Sequence, residues 1–185
     1  SDREQLSVAT TGRATRLLTS FDARPGENLV VACDLRGRYQ EPYDYWNASL
    51  GAPAERLRAD LELLPAIAED GLCRAAKDIS MAGVVGTALM LLECSGIGAT
   101  IDLAAIPRPA GVALERWLST FPSYGFILSV ADADLAPVLA RFAGRDTSAA
   151  EVAGAWREAV QAGQGDDLLQ WMLGAARGGN ALNDQ

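Results

Sequence analysis

Hydrophobic and polar positions along this chain switch repeatedly between a two-residue and a 3.6-residue period, and the switches mark out its elements. Leu6 to Thr11 is short and β-prone. Pro25-Gly26 supplies a turn ahead of Leu29 to Leu35, an unbroken apolar run that predicts a buried strand. Arg36 to Pro53 carries three tyrosines and a tryptophan without any period, which predicts a long ordered loop. From Ala54 the spacing turns helical, with Leu57, Leu61 and Leu64 on one face and Glu55, Arg56, Arg58 and Glu62 on the other. Pro65 kinks that helix or starts the next, Gly71 ends it, and "LCRAAKD" offers a second strand.

Ser80 reads as the N-cap of a helix from Met81 to Glu93 that is apolar on nearly every side and is therefore expected between other elements. Gly96 and Gly98 turn the chain into a strand on which Ile101 and Leu103 share a face and Asp102 points the other way. A helix from Val112 to Phe121 follows, with Leu114, Trp117, Leu118 and Phe121 as its stripe. "YGFILSVA" is the plainest strand, Asp132 opens a helix from Ala133 to Phe142, and "AAEVAGAW" is a weaker strand. Glycine and polar residues gather toward the C-terminus, where "DDLLQWMLGAA" could form a short amphipathic helix. Strands and helices alternating at irregular spacing predict an α+β fold, a mixed β-sheet packed with helices, as a single domain over residues 1–185.

Charge and composition remove several function classes. With 16 Lys and Arg against 24 Asp and Glu the net charge is −8, and no basic run appears, so a nucleic-acid backbone or an anionic membrane is not an expected partner. The chain has no histidine, which takes away the commonest general base, the Ser-His and Cys-His pairs and most zinc sites. Cys33, Cys73 and Cys94 lie far apart among apolar residues and read as small buried hydrophobes of a reducing compartment. The longest apolar stretch, Ala82 to Cys94, is shorter than a membrane span, so the expectation is a cytoplasmic protein. The chain opens at Ser1 without methionine, as a piece of a longer polypeptide would.

Candidate chemistry concentrates in "KDISMAGVVG". Lys77, Asp78 and Ser80 put a cation, an anion and a hydroxyl before the apolar helix, while Ala82, Gly83 and Gly86 keep its first turns nearly free of side chains. The first N–H groups of a helix lack internal partners and the dipole adds about half a positive charge there, so a phosphate or carboxylate fits. Lys77 could add a full charge and Asp78 could orient a hydroxyl or hold magnesium. The same residues also fit a structural role, in which Ser80 caps, Lys77 pairs with Asp78 and the glycines allow close packing; both readings stay open. In "CDLRGRYQ", Asp34, Arg36 and Arg38 follow the buried strand, where arginine forks would suit an anionic substrate or simply face solvent. Trp46 and Asn47 line a pocket or cover a sheet edge, and neither a Walker loop nor a dinucleotide fingerprint is present.

The order "RPGENLVVACDL", then "RAAKDISMAGVVGTALMLLECSGIGATIDLAAIPRP", then "FPSYGFILSV" resembles the C-terminal domain of the AIR synthase (PurM-like) superfamily, and within it the AIR synthase-related proteins. That superfamily includes aminoimidazole ribonucleotide synthetase, formylglycinamidine ribonucleotide synthetase, selenophosphate synthetase, thiamine-monophosphate kinase and the hydrogenase maturation factor HypE. The resemblance covers residues 6–152 and leaves 153–185 as a divergent tail. Its turn, H-D-[IV]-[ST]-x-G-G, falls on Lys77 to Gly83, with lysine in place of the histidine and alanine at Ala82 in place of a glycine. "PSYG", Pro122 to Gly125, falls where relatives place another substrate-side turn.

The resemblance implies an ATP- and Mg-dependent enzyme whose ATP site lies mainly in an N-terminal domain that has no counterpart in these residues. It implies a phosphate- or amide-bearing small-molecule substrate, contact with the protein's own N-terminal domain, and a homodimer of the full-length protein. On this reading Lys77, Asp78, Ser80, Ala82 and Gly83 hold phosphate, and Asp34, Arg36 and Arg38 hold substrate. The domain would be a fragment of a ligase or kinase, inactive alone and without a catalytic residue of its own. The alternative is a non-catalytic ligand-sensing or assembly module that keeps the fold.

Overall fold

The computed structural model describes residues 6–9, 11–153 and, for the backbone alone, 157–158. Strand β1 (Asn28–Cys33) is buried along its whole length, which is why its sequence is continuously apolar and does not alternate. Two short strands, β2 (Arg38–Tyr39) and β3 (Tyr45–Asn47), lie inside the segment expected to be a loop. They pair with each other and bury Trp46.

Helices α1 (Ala54–Leu61) and α2 (Leu63–Glu69) are separated at Glu62. Pro65 supplies no N–H and its ring would meet the carbonyl four residues back, at Leu61, so one helix cannot run through. The break also turns the first helix. Leu61 is 66% exposed and Asp60 is buried, the reverse of the amphipathic stripe expected from sequence.

Strand β4 (Ala75–Asp78) leads to α3 (Gly83–Ser95), which starts two residues later than expected. Ser80 is not its cap. Ala82 occupies that position without a side-chain bond, and the Ser80 carbonyl accepts the Gly83 N–H at 2.9 Å. Gly96 ends α3 in the left-handed region at φ 66°. The strand expected over Ile101 to Leu103 reduces to β5 (Ile97–Gly98). Beyond it Asp102 donates its N–H to the Val152 carbonyl at 2.7 Å and caps a 3-10 turn, Leu103–Ala105, by accepting from Ala104 N–H.

Helix α4 (Leu114–Leu118) is shorter than expected, because Phe121 belongs to strand β6 (Phe121–Pro122). Then come β7 (Gly125–Val130), α5 (Asp132–Ala143), β8 (Ser148–Ala153) and β9 (Arg157–Glu158). The described positions of Leu6 to Thr11 form no strand. The helix expected in "DDLLQWMLGAA" lies outside the described residues.

The main sheet has the order β4-β7-β1-β8 with antiparallel pairs, and a parallel bridge from Thr19 to Ala75 extends its β4 edge. A second sheet, β2-β3-β6, joins β3 to β6 in parallel, and a third pairs β5 with β9. Leu29, Val31 and Cys33 of β1 pack toward α3, Trp117 of α4 and Trp46. Val30 and Ala32 pack the other way, against Leu63 and Ile67 of α2 and Val138 and Phe142 of α5. The fold is therefore α+β with the sheet between two helical layers. Among the described residues no helix is long and apolar enough to cross a membrane.

Of the three cysteines, Cys33 and Cys73 are buried and Cys94 is exposed, a departure from the reading of all three as core residues. Burial pushes the Cys33 thiol up to about 12 and the Cys73 thiol up to about 11. Ellman's reagent at pH 8 is expected to titrate Cys94 rapidly in the native protein and all three thiols only after denaturation. Because the folded state keeps these protons longer than the unfolded chain does, stability is full below the ordinary thiol value. It should fall as pH rises from about 9 toward 12, read as a declining urea midpoint.

Candidate functional site

Strands β1 and β4 both run antiparallel to β7. Their C-terminal ends therefore reach the same edge of the sheet and flank the point where β7 begins. Asp34 donates its N–H to the Tyr124 carbonyl at 3.0 Å on one side, and Ile79 donates to the Gly125 carbonyl at 2.9 Å on the other. Two strand spacings, about 10 Å, separate the two chains there. The segments that sequence singled out, Asp34 to Arg36 and Lys77 to Gly83, are thus neighbours across one β-strand.

On the β4 side, Lys77 is half-buried and Asp78 is exposed; neither makes any of the described ion pairs, and they do not pair with each other. Successive residues of a strand face opposite sides, so Lys77 shares the side of Ala75 and Ile79 while Asp78 shares that of Ala76. Both border an open groove of about 370 Å³ together with Leu18, Ser20, Leu64 and Phe126.

The mouth of α3 is only partly open. Gly83 has φ +65°, and a Cβ on it would stand 2.1 Å from the Leu118 carbonyl oxygen, so only glycine fits between α3 and the end of α4. Three amides of the turn are already bonded. Ile79 N–H goes to Gly125, Ser80 N–H to Thr87 Oγ1 at 3.3 Å, and Gly83 N–H to Ser80. Met81 and Ala82 remain exposed.

On the β1 side the side chains close on one another. Asp34, 2% exposed, accepts Arg36 Nε at 2.7 Å and Arg36 Nη2 at 3.0 Å, and Arg56 Nη1 stands 3.3 Å away. Asp60 in α1, 3% exposed, accepts Arg145 Nε at 3.0 Å, with Arg36 Nη2 at 3.5 Å. Two carboxylates thus hold three guanidiniums, and the Asp34 hydrogen bonds raise the Arg36 pKa above its usual value. Tyr124 donates its hydroxyl to the Asp60 carbonyl at 2.7 Å, and burial together with the nearby carboxylates pushes its phenol up.

Arg36 is therefore an internal counter-ion and not a free substrate clamp. Arg38, on β2, makes none of the described side-chain bonds and stays exposed. Trp46 Nε1 donates to the Asp34 carbonyl at 3.1 Å and fixes the loop between them. Sequence reasoning did not single out Asp60 or Arg145, placed Arg56 only on the polar face of the first helix, and reached Tyr124 only as part of the "PSYG" turn. The signal for Asp60 was its place between Leu57 and Leu64, on the stripe that the structure buries.

As a magnesium site the residues present do not fit. No group of three or more His, Cys, Asp or Glu that could hold a metal ion comes together among the described residues, and Asp34 and Asp60 are already committed to arginines.

The same α+β fold is found in several solved enzymes. Thermotoga maritima PurL, solved as complexes with ATP and with FGAR, superimposes with TM-scores of 0.58 and 0.61 at 18% and 17% identity. Those matches cover 76% and 77% of this chain and 23% and 26% of PurL. Thiamine-monophosphate kinase of Stenotrophomonas maltophilia gives a TM-score of 0.55 at 14% identity, over 78% of this chain and 52% of the kinase. The chain belongs to the family described as AIR synthase related protein, C-terminal domain, whose model matches residues 44–162. An uncharacterized Synechocystis protein is 49% identical over 131 residues, 70% of this chain; the chain spans 41% of that relative's length.

Removing the Asp60 carboxylate should leave Arg145 and Arg36 without their shared partner. Asp60→Ala is expected to cost about 2–4 kcal/mol in urea unfolding, short of a fully buried pair because the guanidiniums keep partial contact with water.

Proposed function

We propose that this chain is the substrate- and phosphate-side domain of a larger PurM-like ATP-dependent enzyme, acting on a phosphate-bearing or amide-bearing small molecule and inactive by itself. The observation that carries this reading is the open groove of about 370 Å³ bordered by Lys77 and Asp78, next to the exposed turn at Met81 and Ala82. Lys77 makes none of the described ion pairs and borders the groove, and three of the turn's amides are already bonded within the protein, so its charge is the main attraction for an oxyanion. Asp78 accepts a substrate hydroxyl or amide. Ser80 and Gly83 shape the turn, and Arg38 is the remaining exposed cation of the predicted set.

The chain's part in catalysis is positioning and charge stabilisation, which is what phosphoryl transfer asks of a protein. ATP and magnesium would be held by an N-terminal domain of the longer protein, which would also carry the homodimer contact. That PurL was solved with ATP and the family model matches this chain supports such a division of labour. A cytoplasmic location fits this chemistry. A second reading, a non-catalytic ligand-sensing or assembly module, draws support from the three turn amides already bonded within the protein.

Calorimetric titration of inorganic phosphate and of ATP into the full chain separates the two. Lys77→Ala is expected to weaken phosphate binding about three- to tenfold while leaving the urea midpoint in place. Equal affinity in wild type and variant gives the turn a purely structural role and favours the module.

A further inference from the structure

The opposite end of the main sheet holds a second cavity, of about 410 Å³, in the size range of small-molecule sites. Strand β7 finishes there, with Ser129 and Ala131 on the lining, β4 begins there after Cys73 and Arg74, and β1 begins there after Glu27. It shares no lining residue with the Lys77 groove.

Glu27 is 9% exposed and lines this cavity. Its Oε2 is satisfied twice, by the Arg24 N–H at 3.1 Å and by the Ser129 hydroxyl. Its Oε1 accepts no hydrogen bond among the described residues and forms only a long ion pair with Arg74 Nε at 3.9 Å. This oxygen opens to the cavity and is held only by the long contact to a half-exposed arginine, so a ligand's donor can take that place without breaking a buried pair. Arg74, with its side chain half exposed, and Arg16 bring two guanidiniums to the same cavity, and Asp134 in the first turn of α5 brings a second carboxylate.

We propose that this cavity binds a small α-amino zwitterion, its ammonium donating to Glu27 Oε1 and its carboxylate held by Arg74 and Arg16. A simple anion would meet Glu27 and Asp134, and a simple cation would meet the two arginines. A molecule with both charges satisfies each pole. The 3.9 Å between Arg74 Nε and Glu27 Oε1 sets the two poles side by side. That spacing suits an ammonium and a carboxylate on one carbon better than the ends of a longer ω-amino acid. The proposal does not rest on the phosphate-side reading and survives its failure.

Amide chemical-shift titration of the full chain tests it, with glycine, alanine and glutamine as probes and γ-aminobutyrate, acetate and methylammonium as controls. Saturable shifts at Cys73, Ser129 and Ala131 are expected with the α-amino probes, about tenfold tighter than with any control. Arg74→Gln, at a half-exposed position where the fold is kept, should weaken the best probe about tenfold, and Glu27→Gln should do the same if it folds. Absence of shifts, equal affinity for acetate or methylammonium, or an affinity unmoved by Arg74→Gln overturns the assignment.

Discussion

Gly125 is the point at which the ends of β1 and β4 are held together. A Cβ there would stand 2.7 Å from Pro122 Cγ, 3.2 Å from Cys33 Sγ and 3.2 Å from Ile79 Cδ1, so a larger residue would wedge three segments apart. With no side chain in the way, the last residue of β1 and the first residue past β4 pack against the same backbone. Both loops then leave the sheet within a short distance of each other. The turn at Pro122 to Gly125 is fixed from above as well, since Ser123 donates its N–H to the Trp46 carbonyl and accepts Ala48 N–H at its hydroxyl. The convergence of the candidate site follows from this close approach more than from any pair of charged residues.

The charges near that point divide into two kinds. Arg36, Arg56 and Arg145 surround buried Asp34 and Asp60, and their geometry ties α1, the end of α5 and the end of β1 into one unit. Such a network sets the arrangement of segments more than it adds net stability, because removing carboxylates from water costs much of what pairing returns. Arg56 Nε shows the limit: it is buried and accepted by no one. Lys77, Asp78 and Arg38 form the other kind, outside any described pair. Among the described residues these three are not tied into the buried network.

Sequence carried the main strands and α5 well, because a run such as "FILSV" or "LVVAC" has one physical use in a chain this size. It also carried the C-terminal glycine of α3. What it could not carry were features set by tertiary partners. The stripe of α1 was assigned to Leu61, yet the structure exposes Leu61 and buries Asp60, since the arginines that neutralise Asp60 come from three separate places in the chain. Ser80 has the chemistry of an N-cap, but the approach of the α4 carbonyl at Gly83 moves the helix start past it. Arg36 reads like a free fork until the buried Asp34 two residues earlier claims both of its arms. That a turn follows Lys77 and Asp78 ahead of an apolar helix was legible from the residues, while the loss of its amides to Gly125, Thr87 and Ser80 depends on contacts that spacing does not encode.

Lys77 and Asp78 also bear on how the open edge of the sheet behaves. Ile79 donates inward to β7, whereas Ala76 donates outward to Thr19, so the alternation of a strand turns Ala76 and Asp78 toward the free edge. Two copies pairing antiparallel along β4 must set outward residues against outward residues. One register about a two-fold axis then faces Lys77 with Lys77, the next faces Asp78 with Asp78, and a register centred on Ala76 is blocked by Thr19. Like charges directly opposite are unfavourable in both of these registers, and charged edge residues are one way natural sheets keep their edges from joining. The two charged side chains thus also protect the strand that carries them from pairing with its own copy in these registers.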